Sequence, residues 1–494
     1  MDKIQPLESR LNKESGKSQF LSRFWHYTCV TLMTAAITAL LSVHRGLPVD
    51  WIVVSGTAVF SFTALLFLSK HLRIRPAGAI PRDKTEHLIW VISLVMIGGV
   101  QLVFRAIGSN DQPTVFLAIA PIVAGALVLA AILGPSLALM TTASVTMLLG
   151  ITNTTSLPVL ATAWMGGIVA AYLVTPLRSR AAMMRAITIL VPVLAVLAAS
   201  SAMTLSRGWM YVGDSAIWST IGGIIAFSVF WFGTLMVERF MRVTTDLSLV
   251  ELCSPDHPLI KELCLRAPGT YAHSVMVGNL AEAAARSIDA NPVICRAMAI
   301  FHDIGKVNRP SCFIENQMGR NVHDELDPIY SAQLVINHVA DGVEMAKKHG
   351  LPQVIVDGIE QHHGTSLIAP FFHRAQNISP ELATAPDFES KFRYPGPKPL
   401  SKEAAIIHLA DMAEAASRSL QPGQDAMALI RSIIDKTQKD GQLDESDLTF
   451  HDLQAIRDSF ALVLGALRHE RISYPGQEGQ LASHSSDQSV EQIL

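Results

Sequence analysis

The sequence predicts an all-α protein: a polytopic membrane helix bundle followed by an all-helical polar domain. Two observations predict it. Long apolar runs crowd the first half of the 494 residues and stop near Met236, which lifts the mean hydropathy of the whole chain to +0.33. Beyond Arg242 the apolar residues recur at helical spacing between Pro and Gly breaks, and nowhere alternate with period two long enough to make a sheet. The net charge of −3 gives no reason to expect a nucleic-acid polymer as partner. Five cysteines (Cys29, Cys253, Cys264, Cys295, Cys312) fall in no CxxC or paired spacing, which fits reduced thiols better than a disulfide framework.

A membrane-spanning helix needs roughly 20 mostly apolar residues. Eight stretches are candidates: Phe24–Val43, Trp51–Ser69, Leu88–Phe104, Val115–Leu133, Leu137–Ile151, Val159–Val174, Ile187–Met203 and Ile217–Met236. The fifth and sixth are short, and only Gly134-Pro135 separates the fourth from the fifth, so seven is the alternative count. Charge decides between them. Lys3, Arg10, Lys13, Lys17 and Arg23 precede the first span, and Lys70, Arg73, Arg75, Arg82 and Lys84 follow the second. Arg178, Arg180 and Arg185 follow the sixth, and Arg239 and Arg242 the eighth, against Arg45, Arg105 and Arg207 on the opposite face. The positive-inside rule then gives eight spans with both ends in the cytoplasm. The first span is too long and too late for a cleaved signal peptide. No acidic residue lies within a confident span, so a transporter's ion path lacks its usual mark and an anchor or sensor is favoured.

Candidate helices in the polar half cover Tyr271–Ile288, Pro292–Asp303, Pro328–His349, Pro352–His363, Lys402–Ser419, Asp425–Lys439 and Phe450–Ile472. Asn291-Pro292, and Ser401 ahead of Glu403, are cap and first-turn choices. The Pro-rich and polar stretch Phe371–Pro399 reads as a loop, of a length often used as a lid. Val243 to Leu252 lacks Gly and Pro, so a helix running on from the membrane is expected there, as a spacer. The expected division is 1–23 cytoplasmic segment, 24–236 membrane region, 237–265 linker, 266–475 soluble domain and 476–494 disordered tail, the last from its Gln/Ser/Gly composition.

The chemistry is concentrated in His273, His302-Asp303, His338, His362-His363 and Asp411. Imidazole and carboxylate donors together suit iron, manganese or zinc. A carboxylate can bridge two ions, and a bridged metal pair is a common device for in-line attack on phosphate esters. Each His-containing dipeptide closes a predicted helix, where neighbouring side chains, about 100° apart, can reach one cleft. Gly364 is the natural stop after the second. His257, His323, His349, His373 and His408 have no positional argument for a ligand role.

These residues resemble the HD superfamily of metal-dependent phosphohydrolases, and His338, His362 and His363 resemble its two-metal branch. Longer motifs extend the resemblance: Ala267-Pro268-Gly269-Thr270-Tyr271, Met276 to Ala284, Phe313-Ile314-Glu315-Asn316-Gln317, Phe392 to Pro397 and Glu414 to Ser419. They are similar to the membrane-bound HD phosphodiesterases with a seven-helix sensor region. The resemblance implies hydrolysis of cyclic di-AMP to pApA by a cytoplasmic domain anchored in the bilayer of a bacterial inner membrane. It implies His273, His302, Asp303 and Asp411 on one metal, and Asp303, His338, His362 and His363 on the other, with iron or manganese as the ions. Asp303 and Lys306 carry catalysis on this reading, and Lys306 and Arg418 are candidates for the substrate's phosphates. Members of this family commonly carry a large extracellular domain after the first membrane helix; here only His44–Asp50 occupies that place, which puts the input signal in doubt. Self-association of the chain is left open.

The competing readings are weaker. A cyclic di-GMP phosphodiesterase of the related HD-GYP group lacks its GYP motif here, since Tyr394-Pro395-Gly396 runs in another order. A one-metal nucleotide phosphatase leaves His338, His362 and His363 without a role. A receptor whose HD domain binds nucleotide without cutting it sits poorly with a complete ligand set.

Overall fold

A computed structural model of the chain describes residues 55–56, 59, 82–107, 112–151, 156–175, 179–241, 243–317, 319–381, 385, 387–418 and 425–467. The first expected span, nearly all of the second, the segment 1–23, the loop His44–Asp50 and the tail 476–494 lie outside these residues. Internal contacts divide the chain into two units, Met1–Glu251 and Leu252–Leu494. The described residues are almost entirely helical and include no strand, only an isolated bridge between Leu367 and Arg393.

The first unit contains α1 (Arg82–Ile107), a 3-10 turn (Pro113–Ala118) leading into α2 (Ile119–Leu133), α3 (Pro135–Ile151), α4 (Leu157–Val174), α5 (Arg180–Met203) and α6 (Trp209–Met241). Gly134, at φ +86°, separates α2 from α3 where Gly134-Pro135 announces a break. Among the described residues, five helical stretches are long and apolar enough to cross a membrane: Thr85–Ile107, Pro113–Leu133, Leu157–Val174, Ala181–Met203 and Trp209–Phe240. Pro135–Ile151, the expected fifth span, is apolar but shorter. Large apolar side chains such as Ile217, Val229 and Phe232 remain exposed along α6, as they do on a surface meant for lipid. Two hydroxyl contacts tie helices together inside the bundle: Ser219 donates to the Leu194 carbonyl (2.9 Å), and Thr162 and Ser201 share a hydrogen bond (2.8 Å).

The expected continuous helix out of the membrane is not what forms. α6 stops at Met241 and α7 (Asp246–Leu252) starts afresh. The cause is local: Val243, Thr244 and Thr245 are all β-branched, and Thr245 acts as a cap. Its hydroxyl accepts from the Ser248 amide (3.3 Å) and donates to Glu238, near the end of α6.

The second unit runs α8 (Pro258–Arg266), α9 (Pro268–Ser287), α10 (Pro292–Phe301), four short 3-10 turns, α11 (Pro328–Lys348), α12 (Gln353–Gln361), α13 (Ala369–Ile378), α14 (Lys402–Ser417), α15 (Ala426–Lys439) and α16 (Phe450–Leu467). α9 packs on α10, α14 and α16, and α12 packs on α10, α11 and α14. Both predicted caps form: Asn291 accepts from Val293 and Ile294, and Ser401 accepts from Ala404. The expected loop Phe371–Pro399 is partly helical, holding most of α13 and a 3-10 turn at Glu389–Phe392. Pro370 sits in the first turn of α13, where proline is tolerated, and is no breaker there. Phe371, Phe372, Ala375, Phe388 and Phe392 build a small apolar cluster against Ala332 of α11.

Candidate metal centre

The two histidine dipeptides lie one step past helix ends. α10 closes at Phe301, so His302 and Asp303 leave its last turn; α12 closes at Gln361, so His362 and His363 do the same. Gly364, at φ +53°, turns the chain away. Three imidazoles are oriented alike. His302 Nδ1 donates to the Ala299 carbonyl (2.7 Å), His338 Nδ1 to Val335 (2.6 Å) and His362 Nδ1 to Ile359 (2.7 Å). A carbonyl can only accept, so Nδ1 carries a proton and Nε2 is the nitrogen turned to the cleft.

Those nitrogens converge on Asp303. Its Oδ1 is 3.3 Å from His338 Nε2 and 3.6 Å from His362 Nε2; its Oδ2 is 3.1 Å from His302 Nε2 and 3.6 Å from His273 Nε2. His273, on α9, is 2.9 Å from Asp411 Oδ1 on α14, whose Oδ2 lies 3.6 Å from His363 Nδ1. Two sets of donors result: His273, His302 and Asp411; and Asp303, His338, His362 and His363, with the atoms of each set within 4.8 Å of one another.

The residues fit metal ions. His302 Nε2 and Asp303 Oδ1 are buried without a directed hydrogen bond, and Asp303 Oδ2 is met by the Lys306 ammonium (2.7 Å), an arrangement costly unless something else completes it. Burial alone pushes the Asp303 carboxyl up, but His302 and Lys306 beside it hold it well below the usual carboxylate range. Burial likewise opposes ionisation of Asp411, and His273 overcomes it. Burial keeps His362 down at about 4 and His363 well below an ordinary histidine, so both are neutral, the form that ligates. For His273 burial is outweighed by Asp411 and Glu414, which push it up to about 10. A place that retains a proton this strongly attracts cations.

The surrounding motifs hold these groups in place. Asn316 Oδ1 accepts from the Gly269 and Thr270 amides (2.9 and 3.2 Å), capping α9 from another segment one turn before His273. Glu315 accepts from the Thr270 hydroxyl and from Lys306 Nζ, both at 3.0 Å. A Cβ on Gly269 would stand 1.9 Å from the Glu315 carbonyl oxygen, so only glycine lets the two segments approach. Asn316→Ala is expected to cost about 1 kcal/mol, as loss of a helix cap does, and to lower the midpoint of thermal unfolding. On the far side, Tyr394 stacks on His363 (centroids 4.2 Å, 28°) and meets His338 edge-on (6.2 Å). Its amide bonds to the Ser366 carbonyl, and Arg393 beside it clamps Asp440 and the Thr365 carbonyl.

All seven expected ligands meet in this one centre. Lys306 Nζ is buried 2.7 Å from Asp303, and the two carboxylates beside it outweigh its burial and keep it charged. Arg418 turns to Glu414 instead, with Nη2 2.8 Å and Nε 3.0 Å from Oε1. His257, His323, His349 and His373 stand in neither donor set. His408 does have a part: its Nδ1 donates to the His362 carbonyl (2.7 Å). Sequence reasoning assigned no role to His408, Tyr394, Glu315, Asn316 or Glu414. For Glu414 a signal exists, since Asp411, Glu414 and Arg418 share one helix stripe.

Comparison with known families agrees with this geometry. The HD domain family matches residues 270–416, and the family described as 7TM receptor with intracellular HD hydrolase matches residues 51–245. Over these residues the chain is similar to the seven-helix receptors with an intracellular HD hydrolase. It is therefore a multi-pass membrane protein, and its HD domain is of the metal-dependent kind. The cyclic-di-AMP phosphodiesterase PgpH of Bacillus subtilis (strain 168) is 42% identical over 268 residues, 53% of this chain and 37% of that protein. PgpH of Listeria monocytogenes serotype 1/2a (strain 10403S) is 42% identical over 261 residues, 52% and 35% respectively. The chain thus spans little more than a third of the length of these relatives. The crystal structure of the L. monocytogenes PgpH HD domain in complex with cyclic-di-AMP is 42% identical, covers 44% of this chain and 100% of that one, and superposes with a TM-score of 0.41.

Proposed function

We propose that this chain is a membrane-anchored phosphodiesterase whose HD domain, on the cytoplasmic side of a bacterial inner membrane, hydrolyses cyclic di-AMP to pApA. The observation that carries the reading is the pair of donor sets joined at Asp303, together with relatives that are named for this activity. Iron or manganese ions would be held by His273, His302, Asp303 and Asp411 on one side and by Asp303, His338, His362 and His363 on the other. When bound, such a pair lowers the pKa of water and offsets phosphate charge. Water adds to phosphorus, the bond to the 3′-oxygen breaks, and the linear product keeps its 5′-phosphate. Lys306, charged and held between Asp303 and Glu315, is placed to meet a phosphate oxygen as negative charge grows on it. We assign Arg418 to Glu414 rather than to the substrate.

The test is chromatography of the products that the purified full chain makes from cyclic di-AMP and cyclic di-GMP, with Mn²⁺. Metal-dependent pApA formation is expected. Preference for cyclic di-GMP would replace the substrate, and no cleavage by folded, metal-loaded protein would point to a nucleotide receptor. His257→Ala, which removes only an edge contact with Phe301 (5.3 Å), is expected to turn over near the wild-type rate in the same assay.

A further inference from the structure

We infer that Glu414 is a positioning residue that makes the two metal positions unequal, so that the ion held by His273, His302 and Asp411 binds first and leaves last. This rests on the metal-site reading above and adds an order to it.

Four of the imidazoles differ in what stands behind them. His302, His338 and His362 give their Nδ1 protons to main-chain carbonyls three residues back. His273 gives its Nδ1 proton to a carboxylate, Glu414 Oε2, at 2.5 Å. A carboxylate draws that proton further than a neutral carbonyl does, and the opposite nitrogen becomes a better electron donor. His273 Nε2 is the nitrogen that faces Asp411 and Asp303. Glu414 therefore strengthens one ligand of one position and no ligand of the other.

Direct charge points the same way. Asp303 is shared, but Asp411 Oδ1 belongs to the set with His273 and His302, whereas the other set adds only imidazoles to Asp303. Arg418 partly offsets Glu414, yet the two differ in surroundings. The Arg418 side chain is 44% exposed and that of Glu414 9%, so water screens the cation far more than the anion. The arginine's larger effect is mechanical, since its contacts through Nε and Nη2 fix the carboxylate plane against His273.

The test is a Mn²⁺ titration of the full chain, purified in detergent and stripped by chelator, with free Mn²⁺ followed by electron paramagnetic resonance. Wild type should bind in two separated steps. Glu414→Gln keeps the side chain's shape and removes its charge; it should weaken the tighter step by 10–100-fold, the usual effect of losing such a partner, and leave the weaker step in place. His338→Ala should do the reverse, keeping the tight step and losing the weak one. If Glu414→Gln binds both ions as wild type does, or if His338→Ala loses the tight step, the inference is overturned. Failure of wild type to bind Mn²⁺ at all would sink the metal-site reading as well. Thermal unfolding of each variant separates a local loss of affinity from misfolding, and His338→Ala decides the order even if Glu414→Gln does not fold.

Discussion

Replacing Asp303 by alanine is expected to abolish turnover. The change takes a donor from both sets at once, because Oδ1 faces His338 and His362 while Oδ2 faces His302 and His273. It also removes the carboxylate beside Lys306, so that cation keeps only Glu315 as a close partner. Loss of a single transition-state donor commonly costs about 10²–10³-fold in rate, and loss of a ligand common to two ions exceeds that. Two readings check it: pApA formed per unit time by chromatography, and Mn²⁺ retained after desalting by elemental analysis. Wild-type metal content together with wild-type turnover would remove Asp303 from the centre. Retained metal with lost turnover would still support a role in the reaction, but through substrate rather than through the ions. Asp303→Asn is the sharper variant, because it preserves volume in a side chain that is 1% exposed while taking away the charge.

The candidate ligand residues stand out in the sequence because His and Asp are uncommon inside apolar helices, and because their dipeptides stand at helix ends, the second of them marked by Gly364. Five of the expected spans show in the sequence by apolar length and recur as helices long enough to cross a membrane among the described residues, whereas the expected fifth forms a shorter helix. What the sequence hid depends on chain segments meeting from far apart. Glu414 reaches His273 across 141 positions, and Asn316 caps Gly269 across 47. No local pattern announces such pairings, although the helix stripe of Asp411, Glu414 and Arg418 offered half of one. Two local readings missed for local reasons. Absence of Gly and Pro in Val243–Leu252 permits a helix, but three β-branched residues and a threonine cap are the stronger influence. The polar and Pro-rich composition of Phe371–Pro399 concealed Phe371, Phe372 and Ala375, which give α13 an apolar side to bury.

Gly305→Ala is expected to be among the most damaging small substitutions outside the candidate ligands. Gly305 lies two residues past Asp303, in the 3-10 turn Ile304–Asn308 that rests on α11. A Cβ there would stand 1.9 Å from the His338 carbonyl oxygen and 2.6 Å from the Gly342 amide nitrogen. Both are main-chain atoms, well inside van der Waals contact, and neither can rotate away. Either α11 shifts, carrying His338 off Asp303, or the turn shifts, carrying Asp303 off His338. Overpacking usually costs about 1–3 kcal/mol, and a clash with fixed backbone belongs at the top of that range or above it. Thermal unfolding and Mn²⁺ stoichiometry of the full chain should both fall. Gly278→Ala is the matched control. It lies inside α9, where a Cβ would meet Ala299 Cβ at an ordinary 3.6 Å. There alanine should be neutral or stabilising by up to about 1 kcal/mol, since it lowers the entropy lost on forming a helix. Equal behaviour of the two variants would mean that the turn and α11 are not held at this distance. The approach of Asp303 to His338 would then need another cause.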